Sequence, residues 1–337
     1  MRYKLLGNTG LKVSELCLGT MTFGGQGMWT AIGTLPQKEV NDLVKRSVDA
    51  GINFIDTANV YSFGLSEQLT GQAIRDLGLK RDDLVIATKV RGAMGEGPNQ
   101  SGLSRKHILQ QADESLARLK TDYIDLYQIH GFDAETPMEE TLKALDSLVQ
   151  SGKVRYIGCS NLAAWQIMKA LGISGKEHLS KFVSLQAYYT IAGRDLEREI
   201  VPLLHDQKLG LMVWSPLAGG FLSGKYARNS NAEEGRRVNF DFPPINKEKA
   251  FDIIDVMQLI AQNQHASIAQ IALAWLLHQP VVTSIIIGAK KTEQLTDNLK
   301  SVDIKLTADE LSQLNEVSKL PPEYPGWMIE RQSGKQK

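Results

Sequence analysis

Eight short apolar runs, most about 27 to 39 residues apart with an amphipathic helical pattern between them, constrain this chain more than any other feature. They are Glu15 to Gly19, Ile52 to Asp56, Leu84 to Lys89, Tyr123 to His130, Val154 to Cys159, Phe182 to Gln186, Leu209 to Trp214 and Ser284 to Ile287. This alternation predicts an α/β fold, a parallel (β/α)8 TIM barrel, with a doubly wound open sheet as the rival. Ahead of it, Tyr3 to Leu6 and Leu11 to Val13, joined through Gly7-Asn8-Thr9-Gly10, read as a β-hairpin.

The gap before the eighth run is longer. It holds an irregular segment, Tyr226 to Asn246, and extra helices near Lys249 to Asn263 and Ser267 to His278. Ser267-Ile268-Ala269-Gln270 has the form of a capping box. Thr136-Pro137-Met138-Glu139 reads as a helix start with Thr136 as N-cap, and Leu142, Leu145, Leu148 and Val149 as its buried stripe. A last helix begins at Thr307, leaving a tail at 321–337. No linker composition interrupts the chain, so 1–337 is expected to be a single barrel domain.

Composition narrows the function classes. Charges balance at 38 basic and 38 acidic residues, so no global field draws the chain to nucleic acid or an anionic membrane. The two cysteines, Cys17 and Cys159, lie in apolar runs, which points to buried thiols in a reducing compartment rather than a disulfide framework. With no signal-peptide pattern and no membrane-length apolar run, a cytoplasmic protein is expected.

In a barrel of this kind the C-terminal strand ends converge on one mouth. Asp56, Lys89, His130, Ser160-Asn161, Gln186, Ser215 and Gly288 then ring a single pocket. Each alone has a bland explanation as a core histidine, a turn lysine or a helix cap. Their joint occurrence at matching positions does not. A phenol titrates at about 10, too high for efficient proton transfer at neutral pH, but a neighbouring ammonium favours the phenolate. Tyr61, five residues beyond Asp56, together with Lys89 and a buried aspartate holding that lysine, therefore suits proton transfer to a developing alkoxide. His130 either orients the same carbonyl oxygen or shares in its protonation.

At these residues the chain resembles the aldo-keto reductases, in particular the branch of potassium-channel β subunits and bacterial general-stress proteins. Asp56, Tyr61, Lys89 and His130 match that family's catalytic tetrad, in the contexts Phe54-Ile55-Asp56-Thr57-Ala58, Ala87-Thr88-Lys89 and Gln128-Ile129-His130. The likeness runs from the hairpin to about Ser318. It implies a barrel whose bottom the hairpin closes and hydride transfer from NADP(H) to an aldehyde or ketone. Tyr61 would be the general acid, and no metal is implied.

The resemblance also implies the cofactor site. Ser160, Asn161 and Gln186 match carboxamide-binding positions, Trp214 the aromatic ring against the nicotinamide, and Ser215-Pro216-Leu217-Ala218-Gly219 the pyrophosphate loop. Thr20 and Met21 join the cofactor contacts, as does Asp56. Gly219 to Lys225 has the spacing of a magnesium-nucleotide loop, but Tyr226 replaces the metal-binding hydroxyl; Lys225 is instead expected beside the dinucleotide phosphates. Gly288, Lys290, Gln294, Asp297 and Asn298 match adenosine and 2′-phosphate positions at a helix start suited to anions. A cation at Lys290 favours NADPH, although Gln294 stands where some relatives carry arginine. Arg236 and Arg237 are further phosphate candidates.

For the substrate, Met21, Phe23, Trp29, Tyr188, Tyr189 and, from the tail, Trp327 are the pocket candidates, together with Tyr61 and His130. An aromatic lining favours an apolar or aryl carbonyl compound over a sugar. Two other classes stay open: a cofactor-binding regulatory subunit of the channel type, and a lyase or isomerase using Lys89 as a Schiff-base nucleophile. The Asp56 and Tyr61 pairing argues against the latter.

Overall fold

The computed structural model describes residues 1–226, 228, 237 and 240–334. Ten strands are described: β1 Tyr3–Leu5, β2 Lys12–Ser14, β3 Leu16–Gly19, β4 Phe54–Asp56, β5 Val85–Val90, β6 Ile124–Ile129, β7 Val154–Ser160, β8 Phe182–Tyr188, β9 Gly210–Trp214 and β10 Val282–Ile287. Strands β3 to β10 form a closed, all-parallel barrel in which β10 pairs with both β9 and β3. An open doubly wound sheet is thereby ruled out. No described helix is long and apolar enough to cross a membrane.

Alternation along each strand sorts its side chains. In β5, Val85 and Ala87 pack inside the barrel, while Ile86 and Val90 join the core shared with the surrounding helices. The helices answer with apolar stripes: Gln37–Asp49 buries Val40, Leu43 and Val44, and Met138–Gln150 buries Leu142, Leu145 and Leu148. Each such leucine contributes roughly 1.5–3 kcal/mol of transfer free energy.

The antiparallel β1–β2 hairpin plugs the barrel at the strand starts. Leu6 and Val13 complete an interior cluster with Cys17, Phe54, Val85, Leu126 and Met212. Lys4 Nζ donates to the Val282 carbonyl at 2.7 Å. Gly7 takes φ +59°, and a Cβ there would lie 2.3 Å from the Val183 carbonyl oxygen, so only glycine lets the turn reach the base of β8.

Two expectations change. Thr136 does not cap its helix; the helix starts at Met138 with Pro137 at the N-cap, and the Thr136 hydroxyl donates to Asp133 Oδ2 instead, a charged and therefore stronger acceptor. The tail is helical over Gly326–Gln332. The predicted capping box at Ser267 is present, and the helix expected to start at Thr307 does so with a capping box of its own.

Candidate active site

The period-two rule that buries Phe54 and Leu126 inside the barrel carries Asp56, Gln128 and His130 to the same side, one layer at a time toward the mouth. Lys89 follows Ala87 in the same way. Register brings them level: Asp56 pairs with Ala87, and Lys89 with Gln128.

Lys89 is fully buried, and its ammonium meets three oxygens: Asp56 Oδ2 at 2.6 Å, the Thr57 carbonyl at 2.8 Å and Tyr61 Oη at 3.3 Å. Asp56 Oδ1 accepts from Gln186 Nε2 at 2.8 Å and Gln128 Nε2 at 3.1 Å. Desolvating two charges is costly, and only such complete hydrogen bonding makes a buried pair tolerable. Burial alone pulls the lysine's pKa down, but Asp56 and Tyr61 more than offset it, so the group is held above its ordinary value and stays charged.

Tyr61 opens a tight turn, Tyr61–Gly64, in which Ser62 (φ 49°) and Phe63 (φ 52°) are left-handed. Such residues cost of the order of 1–3 kcal/mol each and persist only where neighbours enforce them. Ser62 Oγ accepts from the Gly25 amide and donates to the Phe23 carbonyl. Behind the turn, Arg118 Nε donates to Glu67 Oε2 at 2.6 Å, and Thr88 Oγ1 to Glu67 Oε1 at 2.5 Å. The Arg118 shaft runs so close to Gly64 that a Cβ there would sit 2.7 Å from its Cδ. Arg118 thus clamps the tyrosine turn to the strand bearing Lys89.

The Tyr61 ring has Trp29 edge-on at 5.3 Å and His130 at 5.7 Å. His130 keeps an accessible edge but sits deep among protein atoms. Burial, with the Lys89 and Arg91 cations, lowers its pKa to about 3. The imidazole is neutral at physiological pH. The arrangement offers a phenolic hydroxyl, a cation behind it and a neutral imidazole beside it, which suits protonation of one oxygen.

The exits of β7, β8 and β9 present the remaining groups. Ser160 Oγ is buried with no partner among the described residues, a costly state that a ligand polar group would relieve. Asn161 lies next to it, donating to the His130 carbonyl and accepting from Trp214 Nε1 at 2.9 Å. Gln186, expected at a carboxamide, spends its amide on Asp56 and Gln128. Trp214 contacts Tyr188 at 5.1 Å and lies nearly parallel to Phe242, 5.9 Å away.

Ser215 to Gly220 forms a tight loop in which Ser215 Oγ accepts from the Gly219 amide, with Gly219 and Gly220 at positive φ. Pro216 and Leu217 belong to this loop. Arg237, a phosphate candidate, is buried beneath it, donating to the Ala218 carbonyl at 2.8 Å and pairing with Asp241. Arg236 lies outside the described residues. Lys225 is exposed.

At the end of β10, the Lys290 amide donates to Gln294 Oε1 at 2.9 Å and Lys290 Nζ donates to the Ala31 carbonyl at 3.4 Å. Thr22 Oγ1 ties the loop after β3 to Ala289, just beyond Gly288. Asp297, expected at the adenosine, accepts from Ser267 Oγ and Gln270 Nε2 and so secures the start of helix Ile268–Leu277. Asn298 is buried. Thr20 Oγ1 shares a hydrogen bond with Ser66, and Met21 is half-buried.

The pocket candidates separate. Trp29 lies at the tetrad, and Tyr188 contacts Trp214. Phe23 is fully buried in the core and Tyr189 packs on Trp275 with its hydroxyl on Glu197, so neither ring offers a face to a substrate. Trp327 packs on Tyr324 in a tail anchored by Arg198 at Pro321 and Glu323. Sequence reading overlooked Gln128, two residues before His130 and so detectable by period two. Glu67, Arg118 and Phe242 carry no local signal, since their partners are distant in the chain.

The model of the aldo/keto reductase family matches residues 15–319. An uncharacterized oxidoreductase, YrpG, of Bacillus subtilis is 38% identical over 97% of this chain and 100% of its own length. A probable voltage-gated potassium channel subunit beta of Oryza sativa is 39% identical over 90% of this chain and 92% of its own. A versiconal hemiacetal acetate reductase of Aspergillus parasiticus is 36% identical over 94% and 96%. A barrel of this topology, matched over this length, belongs to the aldo/keto reductase family.

Proposed function

We propose that the protein is an NADPH-dependent oxidoreductase that reduces aldehydes or ketones to alcohols, with Tyr61 as proton donor. The observation that carries this reading is the buried Lys89 ammonium, 2.6 Å from Asp56 and 3.3 Å from the Tyr61 hydroxyl. Its charge favours the phenolate that remains once the proton has left. The neutral His130 ring orients the substrate oxygen by a hydrogen bond and does not compete as a cationic acid. Asp56, saturated by Lys89, Gln128 and Gln186, keeps the ammonium in place.

A bound nicotinamide would supply the hydride. The residues fit such a group: the unpartnered Ser160 hydroxyl and Asn161 suit a carboxamide, and the Trp214 face suits a flat ring. The Ser215 to Gly219 loop and Lys225 suit the pyrophosphate, and Lys290, Gln294 and Gly288 the adenosine end and its 2′-phosphate. A cytoplasmic setting belongs to the same reading, supported by two free buried thiols.

The identity to a probable channel β subunit favours a second reading, a cofactor-binding regulatory subunit. Turnover separates the two. Tyr61→Phe should lower reduction of 4-nitrobenzaldehyde by about 10²-fold or more while NADPH affinity stays within a few fold. Full turnover in the variant means that the proton comes from elsewhere; no turnover in the parent protein favours the regulatory reading.

A further inference from the structure

We propose that Arg91 forms, beside the carbonyl site, a subsite for a carboxylate carried by the substrate, so that the preferred substrates are oxo-acids with an apolar or aromatic body. This rests on the carbonyl-reducing reading and sharpens it.

Arg91 directly follows β5, two residues beyond Lys89, and adopts φ +149°, a conformation that residues with a Cβ rarely take. Two bonds hold it there: its carbonyl accepts from the Gly102 amide at 2.9 Å, and its Nε donates to the Phe132 carbonyl at 2.9 Å. Phe132 lies two residues past His130, and a Cβ on Gly131 would sit 3.5 Å from Arg91 Cδ. The arginine shaft therefore runs along the loop that leaves His130. Its charge is felt there, helping to keep that imidazole neutral.

With Nε occupied, Nη1 and Nη2 have no partner among the described residues, and the side chain is solvent-exposed. A guanidinium fixed through one nitrogen presents its other donors in a plane suited to a carboxylate. The counter-charge nearest in effect is Asp133, whose carboxyl Arg91 helps to hold below the usual range. Both Asp133 oxygens are already engaged, Oδ2 by the Leu103 amide and Thr136, Oδ1 by the Glu135 amide, and no ion pair with Arg91 closes. A role confined to tying two loops together would use Nε alone. The apolar part of the subsite is at hand, since Phe132 meets Trp165 edge-on at 6.2 Å and Trp165 is 61% exposed.

The test compares 3- and 4-carboxybenzaldehyde with their methyl esters. The parent protein should favour at least one acid over its ester about ten-fold in kcat/KM. Arg91→Met should abolish that preference, with the acid losing about ten-fold more in kcat/KM than its ester, and Arg91→Lys should retain part of it. No preference in the parent protein, or an equal loss for acid and ester in Arg91→Met, overturns the proposal. Fluorescence titration with 4-(hydroxymethyl)benzoate and its methyl ester reads the same preference without turnover. If neither aldehyde is reduced, the catalytic reading fails while this titration still decides the subsite.

Discussion

Acid stability offers a direct check on the electrostatics of the mouth. His130 is lowered from 6.5 to about 3 by burial and by the Lys89 and Arg91 cations. Below about pH 6.5 the unfolded chain takes up a proton on this ring and the folded chain does not, so the fold loses stability as pH falls. The loss levels off near the folded value. Over the roughly 2.5 pH units down to pH 4, at about 1.36 kcal/mol each, the cost is about 3 kcal/mol at most, because the ring keeps an accessible edge. That is a large share of a typical stability of about 5–15 kcal/mol. Carboxylates titrate in the same range, so the quantity to measure is a difference of differences. Urea unfolding of the parent protein and of His130→Gln at pH 7 and pH 4 should show the parent losing about 1–3 kcal/mol more than the variant. Equal losses, within about 0.5 kcal/mol, would refute a buried neutral imidazole. The same reasoning predicts a kcat/KM profile for carbonyl reduction with no acid limb from this ring between pH 5 and 7.

Two further outcomes probe the scaffold and the cofactor end. Arg118→Met leaves Glu67 buried and unpaired behind the tyrosine turn; chemical unfolding should show a loss of about 3–5 kcal/mol, and a loss below about 1 kcal/mol would mean that the clamp is dispensable. Lys290→Met should weaken NADPH binding about ten-fold, read by tryptophan fluorescence, and leave NADH unchanged; an equal effect on both would remove Lys290 from the 2′-phosphate.

Much of this molecule is written locally. Apolar runs at strand length, helical stripes between them and capping boxes at Ser267 and Thr307 follow from side-chain periodicity and hydroxyl chemistry, which depend on near neighbours in the chain. The barrel, its order and the polar residues at the strand exits were legible for that reason. Gln128 was equally legible, since it sits on the same face as His130. Other features depend on which segments meet. Thr136 was available as a cap, but Asp133 drew its hydroxyl away. That Asp297 also secures the start of helix Ile268–Leu277 depends on that helix docking against it. Phe23 and Tyr189 look like pocket aromatics until the surrounding helices cover them.

The sequence by itself determined the alternation of elements and the kinds of groups delivered to the mouth, because period two along a strand fixes which side a residue faces. Only the tertiary structure decided the charge states, the Arg118 clamp and the strained Arg91. Each of these depends on partners 30 or more residues away, whose approach is set by barrel closure and not by any local pattern.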